Sequence, residues 1–96
     1  MALAEIEVLT SNELAQADRV VQSWLSSQSP ARERAYSSDI RQFVGFIGTP
    51  DIRTVRREDV LDYRGWLQQQ FRPATINRKM SAIRGMFVEL IITGII

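Results

Sequence analysis

Enzyme chemistry needs a proton shuttle, an activated nucleophile or a set of metal ligands, and the 96-residue sequence contains neither histidine nor cysteine. Most acid/base, nucleophilic and zinc mechanisms therefore have no side chain to run on. Carboxylates remain, but Glu58, Asp59 and Asp62 gather where a helix would begin. Negative charge there opposes the positive end of the helix macrodipole, which accounts for them without a catalytic or metal-binding role. Tyr36 and Tyr63 fall on apolar stripes and read as core residues. No glycine-rich phosphate loop is present. The sequence thus predicts no catalytic residue, no metal and no cofactor.

What is left is positive charge. The net charge is only +1, but the charges before Arg32 (Glu5, Glu7, Glu13, Asp18 and Arg19) sum to −3 and the remainder to +4. Arg72, Arg78, Lys79 and Arg84 lie between Phe71 and Arg84 with no acid among them. Local clustering, and not the total, creates a field that attracts a polyanion. A solvated helix face would carry the same residues.

Hydrophobic spacing supplies the elements that would position these groups. Met1 to Leu9 show no sustained period and read as a flexible arm. Thr10 and Glu13 have capping-box spacing, and Leu14, Ala17, Val21, Trp24 and Leu25 recur as one helical stripe ending near Ser27. Ser29 and Pro30 form a start signal for a second helix carrying Tyr36, Ile40, Phe43 and Ile47. Gly48, Thr49, Pro50 and Asp51 end it. A third helix is predicted over Arg57 to Gln70 with Val60, Tyr63 and Leu67 inward. After a turn at Arg72 and Pro73, the fourth helix places Ile76, Met80, Ile83, Phe87 and Leu90 on one face and ends at Gly94. The expected fold is all-α, a compact four-helix bundle with short connections.

With Ile76 at the centre of the buried face, Thr75, Arg78, Ala82 and Gly85 fall on the far side of the fourth helix, flanked by Lys79, Ser81 and Arg84. That face is polar, basic and low in bulk. Small residues there admit another backbone, while Arg78 and Lys79 offer donors to phosphate or base edges. Tight packing against another helix is the competing explanation. On the second helix, Arg34, Ser38 and Arg41 share a side away from Tyr36, Ile40 and Phe43.

The segments SPARERAYSSDIRQFVGFI, VRREDVLDYRGWLQQQ and RPATINRKMSAIRGMFVELIITGII resemble the N-terminal core-binding domain of tyrosine recombinases and phage integrases. The resemblance covers residues 12 to 96. Its anchors are Tyr36, Asp39-Ile40 and Phe43; Glu58-Asp59-Val60 with Tyr63 and Leu67; and Thr75-Ile76, Arg78, Met80 to Arg84, Phe87 and Gly94. It implies a SAM-like domain, residues 11–96 after an arm of residues 1–10, that covers one face of double-stranded DNA. A separate catalytic domain, absent from this chain, would close the clamp. By position, Arg34 and Arg41 on the second helix and Thr75, Arg78, Lys79 and Ala82 on the fourth are the expected DNA contacts. Asn77, Ser81 and Arg84 follow as flanking candidates. The first helix and its arm are expected to help protomers associate on DNA. One departure is Arg56, which stands where the family has a small hydroxyl cap before the third helix. A SAM-like protein-protein interaction module is the alternative reading.

Composition bounds the rest. With 45% hydrophobic residues, the chain suits one domain that buries roughly 65% of its unfolded surface. No targeting signal or run of about 20 apolar residues is present, which points to a cytoplasmic protein with no membrane partner. The apolar tail IITGII has no polar cap, as expected where a linker and further domain follow.

Overall fold

The computed structural model describes residues 3–48 and 51–96, and the side chains of residues 15–48 and 51–96. Its elements are α1 (Leu3–Ser26), α2 (Pro30–Ile47), a 3₁₀ turn (Ile52–Thr54), α3 (Arg57–Gln70) and α4 (Pro73–Ile92), with no strand among the described residues. The fold is the all-α, four-helix arrangement that the periodicity requires.

Local chemistry sets most boundaries. The Ser29 hydroxyl accepts the Arg32 N–H at 3.3 Å, and Pro30 occupies the first helical position of α2, where an N–H has no intrahelical partner. Gly48 ends α2 with φ at 76°; Thr49 and Pro50 lie outside the described residues. Arg56 has no side-chain acceptor to cap α3. Asp59 reaches back instead, accepting the Arg56 N–H at 2.8 Å, and the helix begins at the expected residue. Pro73, expected in the preceding turn, is the first residue of α4. At the other end, Gly94 donates to the Ile91 carbonyl at 3.1 Å and Ile95 to the Leu90 carbonyl at 2.9 Å. These are the paired bonds of a Schellman motif, with Gly94 at φ 77° in the left-handed position.

The start of α1 differs from expectation. The helix runs unbroken from Leu3 through Thr10 and Glu13. Nothing before Thr10 is glycine or proline, and a capping signature sets no boundary when the preceding residues can hold helix too. The side chain of Leu14, on the expected stripe, lies outside the described residues.

The central helix is α4, which packs against the other three. Ala17, Leu25, Ile40, Phe43, Tyr63, Leu67, Ile83, Met86 and Leu90 form the buried apolar core. Phe43 meets Tyr63 edge-on at 5.1 Å and Phe87 at 6.2 Å between centroids, arrangements that suit the ring quadrupoles. Ile83 and Leu90 are buried as expected, while Ile76, Met80 and Phe87 sit at the core margin. The enclosed side of α4 carries Lys79, Ala82, Ile83, Met86 and Leu90. At 100° per residue, it is turned by about 60° from a face centred on Ile76.

Candidate functional site

That rotation brings the basic residues of α4 into different environments. Arg78 keeps 48% of its side-chain surface exposed, whereas the adjacent Lys79 side chain keeps 8%. Both turn to Asp39 on α2, whose carboxylate has no exposed surface. Arg78 grips it with two parallel bonds, Nε to Oδ2 at 3.1 Å and Nη2 to Oδ1 at 3.0 Å. Lys79 Nζ donates to Asp39 Oδ1 at 3.0 Å and to Gln42 Oε1 at 2.8 Å. The Tyr63 hydroxyl of α3 also donates to Gln42 Oε1, at 3.1 Å. Lys79 Nζ further lies 4.8 Å from the centre of the Phe71 ring, within cation–π range.

The result is one polar network tying α2, α3 and α4 together at the N-terminal half of α4. A buried charge is costly unless it is paired and hydrogen-bonded. Here no buried side-chain nitrogen or oxygen among the described residues lacks a partner. Burial, and then the negative charge of Asp39, push the Tyr63 phenol up to about 12. Tyr63 is a core residue, fully enclosed, and Tyr36 stacks on Trp24 at 5.8 Å. Asp59 caps α3, and Glu58 and Asp62 are exposed.

Two of the expected DNA contacts sit differently from the sequence reading. Ala82 has no exposed surface and Lys79 is buried, so neither lies on an outward face as the chain is folded. Gly85 belongs to the same packing surface: a Cβ there would stand 2.4 Å from Cζ2 of Trp24 on α1. The low bulk of this face serves helix packing. Small residues let the Trp24 ring and the backbone of α4 approach, and Lys79 is drawn inward by Asp39.

The other candidates remain accessible. Arg34 and Arg41 are exposed on α2, together with Ser38. On α4, Asn77, Arg78, Ser81 and Arg84 are exposed and Thr75 is half-buried. The flanking candidates therefore hold the outward face. The sequence marked Asp39 only as an anchor of the family resemblance, with no ion pair assigned to it, and did not single out Gln42. Asp39 had left a signal: it lies three residues after Tyr36 and four before Phe43, so a carboxylate falls on an apolar stripe. Such a charge calls for a buried partner. Gln42 left no comparable mark.

Elsewhere, α1 and α2 border a groove of about 410 Å³, floored by Ala17, Leu25, Ile40 and Met86 and edged by Asp18 and Arg41. Arg53 and Asp51 form a local clasp beside the 3₁₀ turn, with contacts of 2.8 and 2.6 Å, and this Arg53 bond is the main cause holding the Asp51 carboxyl below its ordinary value. Among the described residues, no helix is long and apolar enough to cross a membrane.

No curated protein and no solved structure matches the chain. A family model described as the phage integrase N-terminal SAM-like domain matches residues 21–94. The match begins within α1 and takes in the whole of α2, α3 and α4, including every residue of the Asp39 network. The chain accordingly belongs to the N-terminal SAM-like domain family of phage integrases, which places it in the apparatus of integration and recombination.

Proposed function

We propose that this domain binds double-stranded DNA as the non-catalytic half of a recombinase clamp, with the catalytic chemistry supplied by another domain. The observation that carries this reading is the exposure of Arg34 and Arg41 on α2 and of Arg78 and Arg84 on α4, two helices fastened to each other through Asp39. Guanidinium groups match phosphate geometry, and a fixed pair of helices sets their spacing along a backbone. Thr75 and Asn77, at the N-terminal part of α4, add shorter polar side chains for phosphate or base edges. Lys79 and Ala82 act from behind this surface, the first as an internal cation and the second as a spacer. The chain from α2 onward acts as the DNA-binding part, and α1 meets neighbouring protomers.

Titration of a labelled duplex at low salt tests the reading. Binding weakens as salt rises, with log K against log salt falling by about 0.9 for each phosphate contact. Arg34→Ala, Arg41→Ala and Arg84→Ala each weaken binding across unrelated sequences and each lower that slope. An unmeasurable affinity at low salt, or a slope indifferent to all three substitutions, would reject it.

A second reading rests on a different observation. Val88, Ile91, Ile92 and Ile96 are large apolar residues exposed at 47, 60, 72 and 45% near the end of α4. A SAM-like protein-interaction module would bury such residues against a partner. Self-association that persists at high salt without DNA would favour it.

A further inference from the structure

Among the described residues, Arg78 differs from the other exposed arginines in being held by a buried carboxylate. Its Nε and Nη2 are both committed to the buried Asp39 carboxylate, at 3.1 and 3.0 Å, while nearly half of its side chain faces solvent. An arginine gripped along one edge of its planar fork has the remaining donors, Nη1 above all, aimed by that grip. We infer that Asp39 is a positioning residue: from inside the fold it fixes the Arg78 guanidinium so that its free donors meet a DNA phosphate already oriented. Lys79 completes the device. It shares Oδ1 of Asp39 and is anchored in turn by Gln42, so the carboxylate is held from within while Arg78 takes its outer side. The inference rests on the DNA-binding reading above.

The physical consequence is entropic. A free surface arginine must be immobilised when it meets phosphate, whereas a clamped one is ordered beforehand. Immobilising a long side chain costs about 0.5–1.5 kcal/mol, which corresponds to a roughly twofold to tenfold change in affinity. Charge alone gives the opposite expectation. Asp39 is an anion beside a DNA-binding cation, and removing it should tighten binding if it did nothing but offset charge.

The test replaces Asp39 and Lys79 together. Asp39→Leu with Lys79→Met exchanges a buried ion pair for apolar side chains, a change that is often neutral or stabilising, and it leaves the net charge at +1. Duplex affinity of the full chain is measured at fixed salt for the wild type, this double variant, Arg78→Ala, and the triple variant combining them, with a thermal melt of each. The expected result is a cooperative melt and roughly twofold to tenfold weaker binding in the double variant. In the Arg78→Ala background, the same pair of changes should have no further effect, because the residue they orient is gone.

Unchanged or tighter binding by a folded double variant overturns the inference, and so does an equal loss in both backgrounds, which marks a structural role. If the double variant gives no cooperative melt, Arg78→Lys decides. Lysine keeps the charge but cannot make the two-pronged grip, so it should lose roughly twofold to tenfold in affinity, less than Arg78→Ala does, and wild-type binding by it overturns the inference. A wild type that binds no duplex at low salt removes the DNA reading itself, whereas a binding wild type with indifferent variants removes only the role of Asp39.

Discussion

At position 39 a carboxylate without solvent exposure is held by two cations from one turn of α4. Breaking such a group differs from replacing it. Asp39→Ala leaves the Lys79 ammonium buried without its counter-ion, and urea unfolding should show a loss of about 3–5 kcal/mol. Gly85 poses a second residue-scale competition. Helix propensity alone favours alanine by about 1 kcal/mol, but its Cβ would fall 2.4 Å from the Trp24 ring. Overpacking of this kind costs about 1–3 kcal/mol, so Gly85→Ala should be net destabilising by urea unfolding, by up to about 2 kcal/mol after the propensity gain. A more stable variant would mean that Trp24 yields freely.

At the scale of elements, the helix ends divide into those set by one residue and those set by none. The end of α4 rests on Gly94, whose left-handed φ of 77° positions the Ile95 N–H on the Leu90 carbonyl. Leu90 is fully buried and Ile95 packs on the core, so this turn also folds the chain back over the bundle. Gly94→Ala should cost about 1–2 kcal/mol through the left-handed conformation, read as a lower midpoint in urea with an unchanged slope. The start of α1 shows the other case. Thr10 and Glu13 carry a capping signature, yet the helix passes through them because the residues before can extend it. A signal at a helix start sets a boundary only when a breaker stands behind it.

For the whole molecule, the Asp39 network couples folding to alkaline pH through Tyr63. An unfolded tyrosine ionises near 10, whereas the folded phenol, enclosed and facing the negative Asp39, does so at about 12. Between these values the folded chain retains a proton that the unfolded chain has released. Its contribution to stability is therefore complete below pH 10 and is lost as pH climbs through 12. Urea midpoints recorded from pH 9 to 12 should fall for the wild type. Tyr63→Phe should flatten that segment of the profile, and parallel profiles for the two proteins would refute the coupling.

The sequence by itself determined the number of helices, their order and most of their ends. Those features follow from apolar period, capping residues and chain breakers, all of which act over a few positions. It also brought Arg34, Arg41, Arg78 and Arg84 forward, because basic residues at helical spacing are visible in one dimension, whereas Asn77 came only with the family resemblance. Only the tertiary structure decided which way α4 faces. Lysine, alanine and glycine at positions 79, 82 and 85 read as an outward surface until packing is considered. Trp24 then requires the glycine, close helix contact encloses the alanine, and the buried carboxylate of Asp39 draws the lysine inward. These are contacts between residues distant along the chain, Asp39 with Lys79 and Trp24 with Gly85. A helical period computed within one segment contains no information about them.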